Sequence, residues 1–273
     1  MWRVEAFLAH WFFYSLAGLV ILFLLGGIRY IPNTKVGLVE KRTSRKGSVT
    51  AGIIALDGEA GFQPALLRGG VHYLLPGQYK VHIHPLVTIP QGKIGYVFAR
   101  DGVPLPPTQA LASNAVASDL QDAAGFLRAG GQRGPQRKIL REGTYAINLA
   151  QFVVITTERV YCLPLEKSDE EIFKRMTKII QDRDGFDPVV IKGTDDLVGI
   201  VTVHDGPSLP PGQIIAPTIG EDAGQPDTYH NSFQDPECFL RAGGQRGRQL
   251  QVLVKAPTTS TGSSRRWKRC PRR

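Results

Sequence analysis

The sequence is poor in the residues and motifs that carry catalysis or metal binding. Its 273 residues include three cysteines, Cys162, Cys238 and Cys270, which lie far apart and without a CxxC or Cys/His ligand spacing. This usage argues against a disulfide framework and gives no zinc motif. A P-loop, a dinucleotide fingerprint, a nucleophile elbow and a kinase motif are also lacking. The sequence therefore gives no positive case for catalysis, and we expect no cofactor.

Acidic residues are lacking at the C-terminal end of the chain. The formal net charge is +9, and seven basic residues fall among the last twenty residues, which contain no acid, leaving +2 for the rest. A strongly basic protein suggests a nucleic acid or an anionic lipid as partner, but here the excess is confined to the tail. We expect no nucleic-acid partner and identify no small-molecule substrate.

A long run near the N-terminus lacks charge altogether. From Phe7 to Ile28 the chain has 22 residues without a formal charge, which as a helix would span about 33 Å, enough for a hydrocarbon core of about 30 Å. A cleaved signal peptide is the alternative, although its apolar core is usually only about 7 to 15 residues long. Basic residues are more abundant after the run than before it, which predicts a cytoplasmic body. We therefore predict a single-pass membrane protein with a transmembrane helix at residues 1–31 in the lipid bilayer.

Three passages after this run share a β-strand pattern with glycine in second position. They are VGLVEK at Val36, IGYVFA at Ile94 and VGIVTV at Val198. The second and third continue with an Asp-Gly turn and then Pro-Pro, which marks an extended exit. The pattern predicts a mainly β fold with a little α, built from tandem small units at residues 32–90, 91–165 and 191–253, the last of them incomplete.

An insertion at residues 166–190 has helical rather than strand periodicity. Ser168 and Glu171 form a capping box, and we predict a helix from about Asp169 to about Arg183. Packing against its own sheet and binding of a partner are both open for its apolar face. That face contains Ile172, Met176, Ile179 and Ile180.

Two features could carry chemistry. His82 and His84 would point to one face of a strand, as a metal-binding pair does, but without a third ligand nearby the simpler interpretation is a pair of plain strand histidines. The Gly-rich passage FLRAGGQRG, at 126–134 and again at 239–247, could cradle a phosphate or form a basic loop between β elements. Other carboxylates are scattered, and we assign no catalytic, cofactor-binding or metal residue among them: Glu142, Asp195, Asp196, Asp235 and Glu237.

Long phrases of the chain resemble a known family. IPNTKVGLVEK, IIALDGEAGFQPALLRGGVHYLLPGQYKVHIHP and YHNSFQDPECFLRAGGQRGRQLQVL are similar to the N-terminal portion of bacterial flotillin-like proteins of the stomatin/prohibitin/flotillin (SPFH, band 7) superfamily. The resemblance runs from about Tyr30 to Leu253. It implies a membrane-anchored, non-enzymatic scaffold that forms homo-oligomers and organises membrane microdomains. Two alternatives stay open: a metal-dependent enzyme or accessory factor with a pocket between β units, and an anionic-lipid or nucleic-acid binder through the basic tail.

The tail at residues 254–273 differs in composition from the units before it. Arg, Ser and Thr dominate it, which predicts a basic, disordered segment. Loss of one nucleotide after Leu253 would turn an intended REGTYYIN, similar to the REGTYAIN of the second unit, into VKAPTTS. We therefore expect the tail to be an out-of-frame reading and the chain to be truncated relative to its relatives, with a natural disordered terminus as the alternative.

Overall fold

The computed structural model describes residues 2–107, 109–116, 120–165, 167–189, 191 and 198–254, without the side chains of 2–10, 12, 13, 167, 168 and 170. The described chain is mainly β, as the sequence predicts. Its elements, in order, are α1 (Trp2–Leu25), β1 (Ile28–Ile31), β2 (Lys35–Lys41), β3 (Gly61–Leu67), β4 (Gly70–Tyr73), β5 (Tyr79–Pro85), β6 (Val87–Ile89), β7 (Tyr96–Ala99), α2 (Ala123–Arg128), β8 (Gly134–Pro135), β9 (Gly143–Tyr145), β10 (Phe152–Ile155), β11 (Val160–Tyr161), α3 (Lys167–Gln181), β12 (Gly199–Val203), β13 (Ile215–Ala216), α4 (Pro236–Arg241) and β14 (Gly247–Leu253).

The predicted transmembrane helix is not found. Crossing a bilayer takes about 20 consecutive apolar residues in one helix, and within the described residues no helix combines that length with that apolarity. The prediction of a single-pass membrane protein, and of the localisation that followed from it, is therefore wrong.

The three related passages form the first strands of three sheets, β2, β7 and β12. Each pairs antiparallel with a strand that begins at a glycine, namely β3 at Gly61, β8 at Gly134 and β14 at Gly247. A second antiparallel strand lies on the other edge of β2 and of β7, namely β5 and β10. The sheet orders are β3-β2-β5, β11-β10-β7-β8 and β12-β14-β13. The units at 32–90, 91–165 and 191–253 are called the first, second and third unit below.

A glutamine side chain marks the same place in each unit. Gln63, Gln136 and Gln249 each donate through Nε2 to the carbonyls two and four residues earlier, at 2.8–3.3 Å. One residue type making one pair of hydrogen bonds three times shows that the repeat seen in the sequence is also a repeat of local structure. It also fixes the register used below to compare positions between units.

The first two units share a hydrophobic core. Leu38 and Ile54 of the first unit belong to the same buried cluster as Val97, Phe126 and Phe152 of the second. The Phe126 and Phe152 rings meet edge to face with centroids 5.1 Å apart, a geometry that aromatic pairs favour. A short two-stranded sheet of β6 and β9 also joins these units, so apolar packing and backbone hydrogen bonds both link them.

Helix α3 packs against the sheet of the second unit. Phe173 is buried with Met176 and Ile180 alongside Val153 and Ile155. Of the predicted apolar face, Ile172 and Ile179 are instead exposed. The helix bounds lie within two residues of those predicted, and its described apolar contacts are with its own sheet.

Arg100 attaches α3 to the rest of the second unit. Its Nη1 donates to the Leu163 carbonyl at 2.7 Å and its Nη2 to Asp169 Oδ2 at 3.0 Å. Burial lowers the pKa of Arg100, and the nearby Asp169 carboxylate acts against that lowering. The guanidinium also lies over the Phe173 ring, 5.7 Å from its centroid. Arg100 therefore contacts α3 through both an ion pair and an aromatic ring.

Candidate interaction site

Each Asp-Gly turn binds the unit that precedes it. Asp101 of the second unit accepts from the Ile53 N–H of the first at 2.9 Å. Asp205 of the third unit accepts from the Ala110 N–H of the second at 3.0 Å. Ile53 and Ala110 hold the same place in the repeat, the third position of AGIIA and of TQALA. The chain therefore uses one contact twice to join consecutive units.

Glycine is required after each aspartate by conformation and by space. Gly102 has φ +134° and Gly206 has φ +101°, in the region where a Cβ is strained. A Cβ on Gly102 would also collide with the Gly131 carbonyl, and one on Gly206 would lie 3.0 Å from the Gly244 carbonyl. The turn thus approaches the backbone of its own Gly-rich passage closely while the aspartate faces the preceding unit.

A buried arginine strengthens the second of these joints. Arg137 of the second unit donates through Nη2 to Asp205 and through Nη1 to Glu237, both of the third unit. Its side chain is 6% exposed and that of Asp205 is 10% exposed. Glu237 also accepts from Ser113 Oγ at 3.0 Å and from the Asn114 N–H. Two carboxylates of one unit therefore surround a cation and polar hydrogens of the unit before it.

The ionisation of Asp205 reflects this cluster. Burial by itself would raise the pKa of the Asp205 carboxyl. The hydrogen bond from Arg137, the N–H donors of Ala110 and Gly206 and the charge of Arg137 outweigh burial, so the pKa lies below its usual value. Asp205 is accordingly held as a carboxylate paired with a nearly buried guanidinium.

The third unit exposes the surface that the second unit uses to bind its neighbour. Leu250 stands at the place of Arg137 in the repeat and is exposed. Ile214 stands at the place of Ala110 and is 85% exposed. Within the described residues no carboxylate accepts from the Ile214 N–H. In the described part of the chain, the joint that occurs twice thus has an unoccupied counterpart on the third unit.

The first strand of the third unit also has an open edge. In the first two units this edge is occupied by β5 and by β10, but in the described part of the third unit β12 pairs with β14 alone. Ile200 on β12 is 69% exposed and Val198 just before it is also exposed. The covering strand in the second unit is FVVI, whereas the preceding GTY forms β9 and pairs with β6.

The predicted histidine pair lies on β5 of the first unit. His82 Nε2 is 2.7 Å from Glu40 Oε2 on the neighbouring strand β2. Burial, and then the nearby His82, lower the pKa of His84. Groups of three or more His, Cys, Asp or Glu placed to hold a metal are not found among the described residues. The structure thus gives His82 a hydrogen-bond partner on the adjacent strand.

The two FLRAGGQRG passages have a packing role. The Phe126 ring lies against Gly131 and the Phe239 ring against Gly244, in both cases too close for a Cβ at the glycine. Each phenylalanine is buried in a short helix, α2 or α4. The glycines therefore give room to the ring that supports the Asp-Gly turn.

Of the scattered carboxylates, the three that the structure describes lie in different settings. Glu142 accepts from the Gly92 N–H at 3.0 Å, and Asp235 caps the N-terminus of α4. Glu237 joins the Arg137 cluster, whereas Asp195 and Asp196 lie outside the described residues, as does the tail from residue 255. A surface cavity of about 270 Å³ between β3 and α2 is lined by Arg68 and Asp122 among others, and not by the histidine pair.

The sequence did not single out Arg137 or Asp205 as functional. The signal available was the recurrence of Asp-Gly at the same place in two units, combined with a basic residue at the position that is leucine in the third. Comparison with protein families, curated proteins and solved structures finds no match to this chain. The similarity to flotillin-like proteins therefore stays a prediction made from phrases of the sequence.

Proposed function

We propose that this protein is a non-enzymatic scaffold that self-associates through its third β unit. The observation that carries the proposal is an edge of β12 along which no strand of the described residues pairs, at a place where both preceding units hold a paired strand. An unpaired strand edge presents N–H and C=O groups that readily pair with another chain.

The chemistry of the third unit supports association over catalysis. Exposed apolar residues of the third unit lie at two places. One is the edge of β12, and the other is the surface that corresponds to the one with which the second unit binds the third. These residues are Ile200, Ile214, Ile215 and Leu250. Exposed apolar residues on a strand edge and at a repeated joint are typical of interaction sites. The resemblance to a scaffold family points in the same direction, without its membrane component.

The proposal is tested by the mass of the full chain as a function of concentration, by analytical ultracentrifugation. We expect species heavier than the 29.9 kDa monomer that dissociate on dilution. A triple variant, Ile200→Lys, Ile214→Lys and Leu250→Lys, is expected to abolish the association because it charges the exposed surface of the third unit. Ile172→Lys, on the exposed side of α3, is the matched control and is expected to behave as the wild type. A wild-type chain that is monomeric throughout contradicts the proposal.

A further inference from the structure

Among the described residues, one edge of β12 is open. In the first and second units an antiparallel strand pairs along the corresponding edge. Along β2 the partner β5 pairs over seven positions, from Lys35 opposite Pro85 to Lys41 opposite Tyr79. Along β7 the partner β10 pairs over four, from Tyr96 opposite Ile155 to Ala99 opposite Phe152. Whatever fills the equivalent edge of β12 is therefore expected to be an extended strand running antiparallel to it.

The composition of β12 suits pairing with an identical strand. Gly199–Val203 reads GIVTV, with three β-branched residues besides Ile200 and without charge or proline. Charges, particularly lysine, and proline are the residues that protect natural strand edges from pairing. Two copies of this strand would meet without repulsion between like charges.

Serial stacking of copies, third unit against first unit, is not supported. Such stacking would need the first unit to present an aspartate at the place of Asp101 and Asp205, and the residues there are Thr43 and Ser44 in place of Asp-Gly. Thr43 has a hydroxyl rather than a carboxylate for the Ile214 N–H and offers no charge to a cationic partner. An assembly that uses the third unit of both copies avoids this requirement.

We propose that two copies of this chain pair through β12 about a two-fold axis, which deepens and rests on the proposed self-association. A two-fold axis perpendicular to a strand makes it antiparallel to its own copy, and it gives both copies the same contacts. Full overlap of Gly199–Val203 with its copy places Val201 opposite the partner's Val201 and Ile200 opposite the partner's Thr202. The result is one continuous sheet in the order β13-β14-β12, followed by the partner's β12, β14 and β13.

A charge on the edge tests the pairing. Ile200→Lys is expected to reduce the full chain to the 29.9 kDa monomer mass at concentrations where the wild type is a dimer, because lysine on an edge opposes strand addition. Val71→Lys is the matched control, since Val71 is similarly exposed on β4 of the first unit, outside the surface assigned to self-association. It is expected to leave the dimer intact. Circular dichroism of both variants confirms that each is folded.

A disulfide tests the register. Directly opposite residues of an antiparallel pair have Cα atoms about 4.5–5.5 Å apart, within the range of about 4.4–6.8 Å that a disulfide spans. In a chain with Cys162→Ser, Cys238→Ala and Cys270→Ser, Val201→Cys is expected to form a covalent dimer on oxidation. Thr202→Cys is expected to cross-link at least about tenfold less, because diagonal neighbours lie farther apart, at roughly 7–8 Å.

The outcomes separate this proposal from the more general one. If the wild type and Ile200→Lys associate equally, and the Val201→Cys chain does not cross-link, pairing through β12 is overturned and self-association still stands. A wild type that is always monomeric overturns both. A monomer in which those amides of 199–203 that face away from β14 are also protected from hydrogen exchange shows that the same chain occupies the edge, and it overturns the two-fold pair.

Discussion

Asp101 and Asp205 occupy the same position in successive β units, and each accepts a hydrogen bond from a backbone N–H of the unit before it. The two joints differ in what surrounds this shared contact. Asp101 acts beside a hydrophobic core common to the first and second units. Asp205 acts together with Glu237 around Arg137. The attachment of the third unit should therefore be the more sensitive of the two to charge and to acid.

Replacing Arg137 by leucine is expected to destabilise the protein by about 3 kcal/mol, since removal of one partner from a buried ion pair typically costs about 3–5 kcal/mol. The substitution leaves Asp205 and Glu237 close together and without their cation. The free energy of unfolding in urea measures the effect. Arg141→Leu is the matched control at an exposed position, where the change is expected to stay within about 0.5 kcal/mol.

A second variant distinguishes charge from packing at this place. Adding Asp205→Asn and Glu237→Gln to Arg137→Leu removes the two unpaired carboxylates, and part of the lost stability should return. If the triple variant is no more stable than Arg137→Leu, the loss comes from packing around the guanidinium and the electrostatic account of the joint is wrong.

The Asp205 pKa predicts how acid acts on the joint. Because the folded-state pKa lies below the usual value of about 3.9, the unfolded chain binds the proton more readily. The stabilisation is thus fully present above that usual value and is lost as the pH falls through the lower, folded-state pKa. Urea unfolding should show a stability difference between wild type and Asp205→Asn that is constant above about pH 5 and shrinks in acid. If the stability difference between wild type and Asp205→Asn does not change below about pH 4, near the usual pKa of an aspartate, this account of Asp205 is wrong.

His84 predicts a separate effect at milder pH. Burial, followed by the nearby His82, lowers its pKa below the usual value of about 6.5, so the unfolded chain gains a proton first as the pH falls. Stability is therefore lost from about pH 6.5 downward, through the folded-state pKa. His84→Gln should reduce this loss, and His82→Gln should reduce it less because burial of His84 persists. Urea midpoints of both variants, measured between about pH 7 and about pH 5, cover the range around the usual histidine pKa of about 6.5. Equal pH dependence in wild type and His84→Gln would show that His84 does not cause the loss.

The repeat was predictable because its elements are local. Short apolar runs with a glycine in second position predicted β2, β7 and β12, and a period near 3.6 predicted α3 within two residues at each end. The side of α3 that packs was predicted only in part. Ile172 and Ile179 share the apolar stripe but point away from the sheet, since Phe173 fills that space.

The joints could not be predicted because their partners are distant in the chain. Arg137 lies 68 residues from Asp205 and 100 from Glu237, and sequence periodicity carries no information at such separations. The same limit applies to the strand that covers β7. FVVI is buried on both faces, so it shows no alternation, whereas the alternating GTYAIN supplies β9 on a different sheet.

Gly102→Ala should separate the conformation of the Asp-Gly turn from its tight packing. Gly102 and Gly130 both have positive φ, +134° and +79°, so alanine at either is expected to cost roughly 1 kcal/mol from the backbone alone. Only at Gly102 does a Cβ meet the backbone, at the Gly131 carbonyl, whereas a Cβ on Gly130 has nothing within 4 Å. Overpacking of this kind typically adds about 1–3 kcal/mol. Urea unfolding should therefore show Gly102→Ala to be the less stable variant by at least about 1 kcal/mol. Equal losses would mean that the turn can move away from the Gly-rich passage, and that Asp101 does not depend on this close approach to reach the Ile53 N–H.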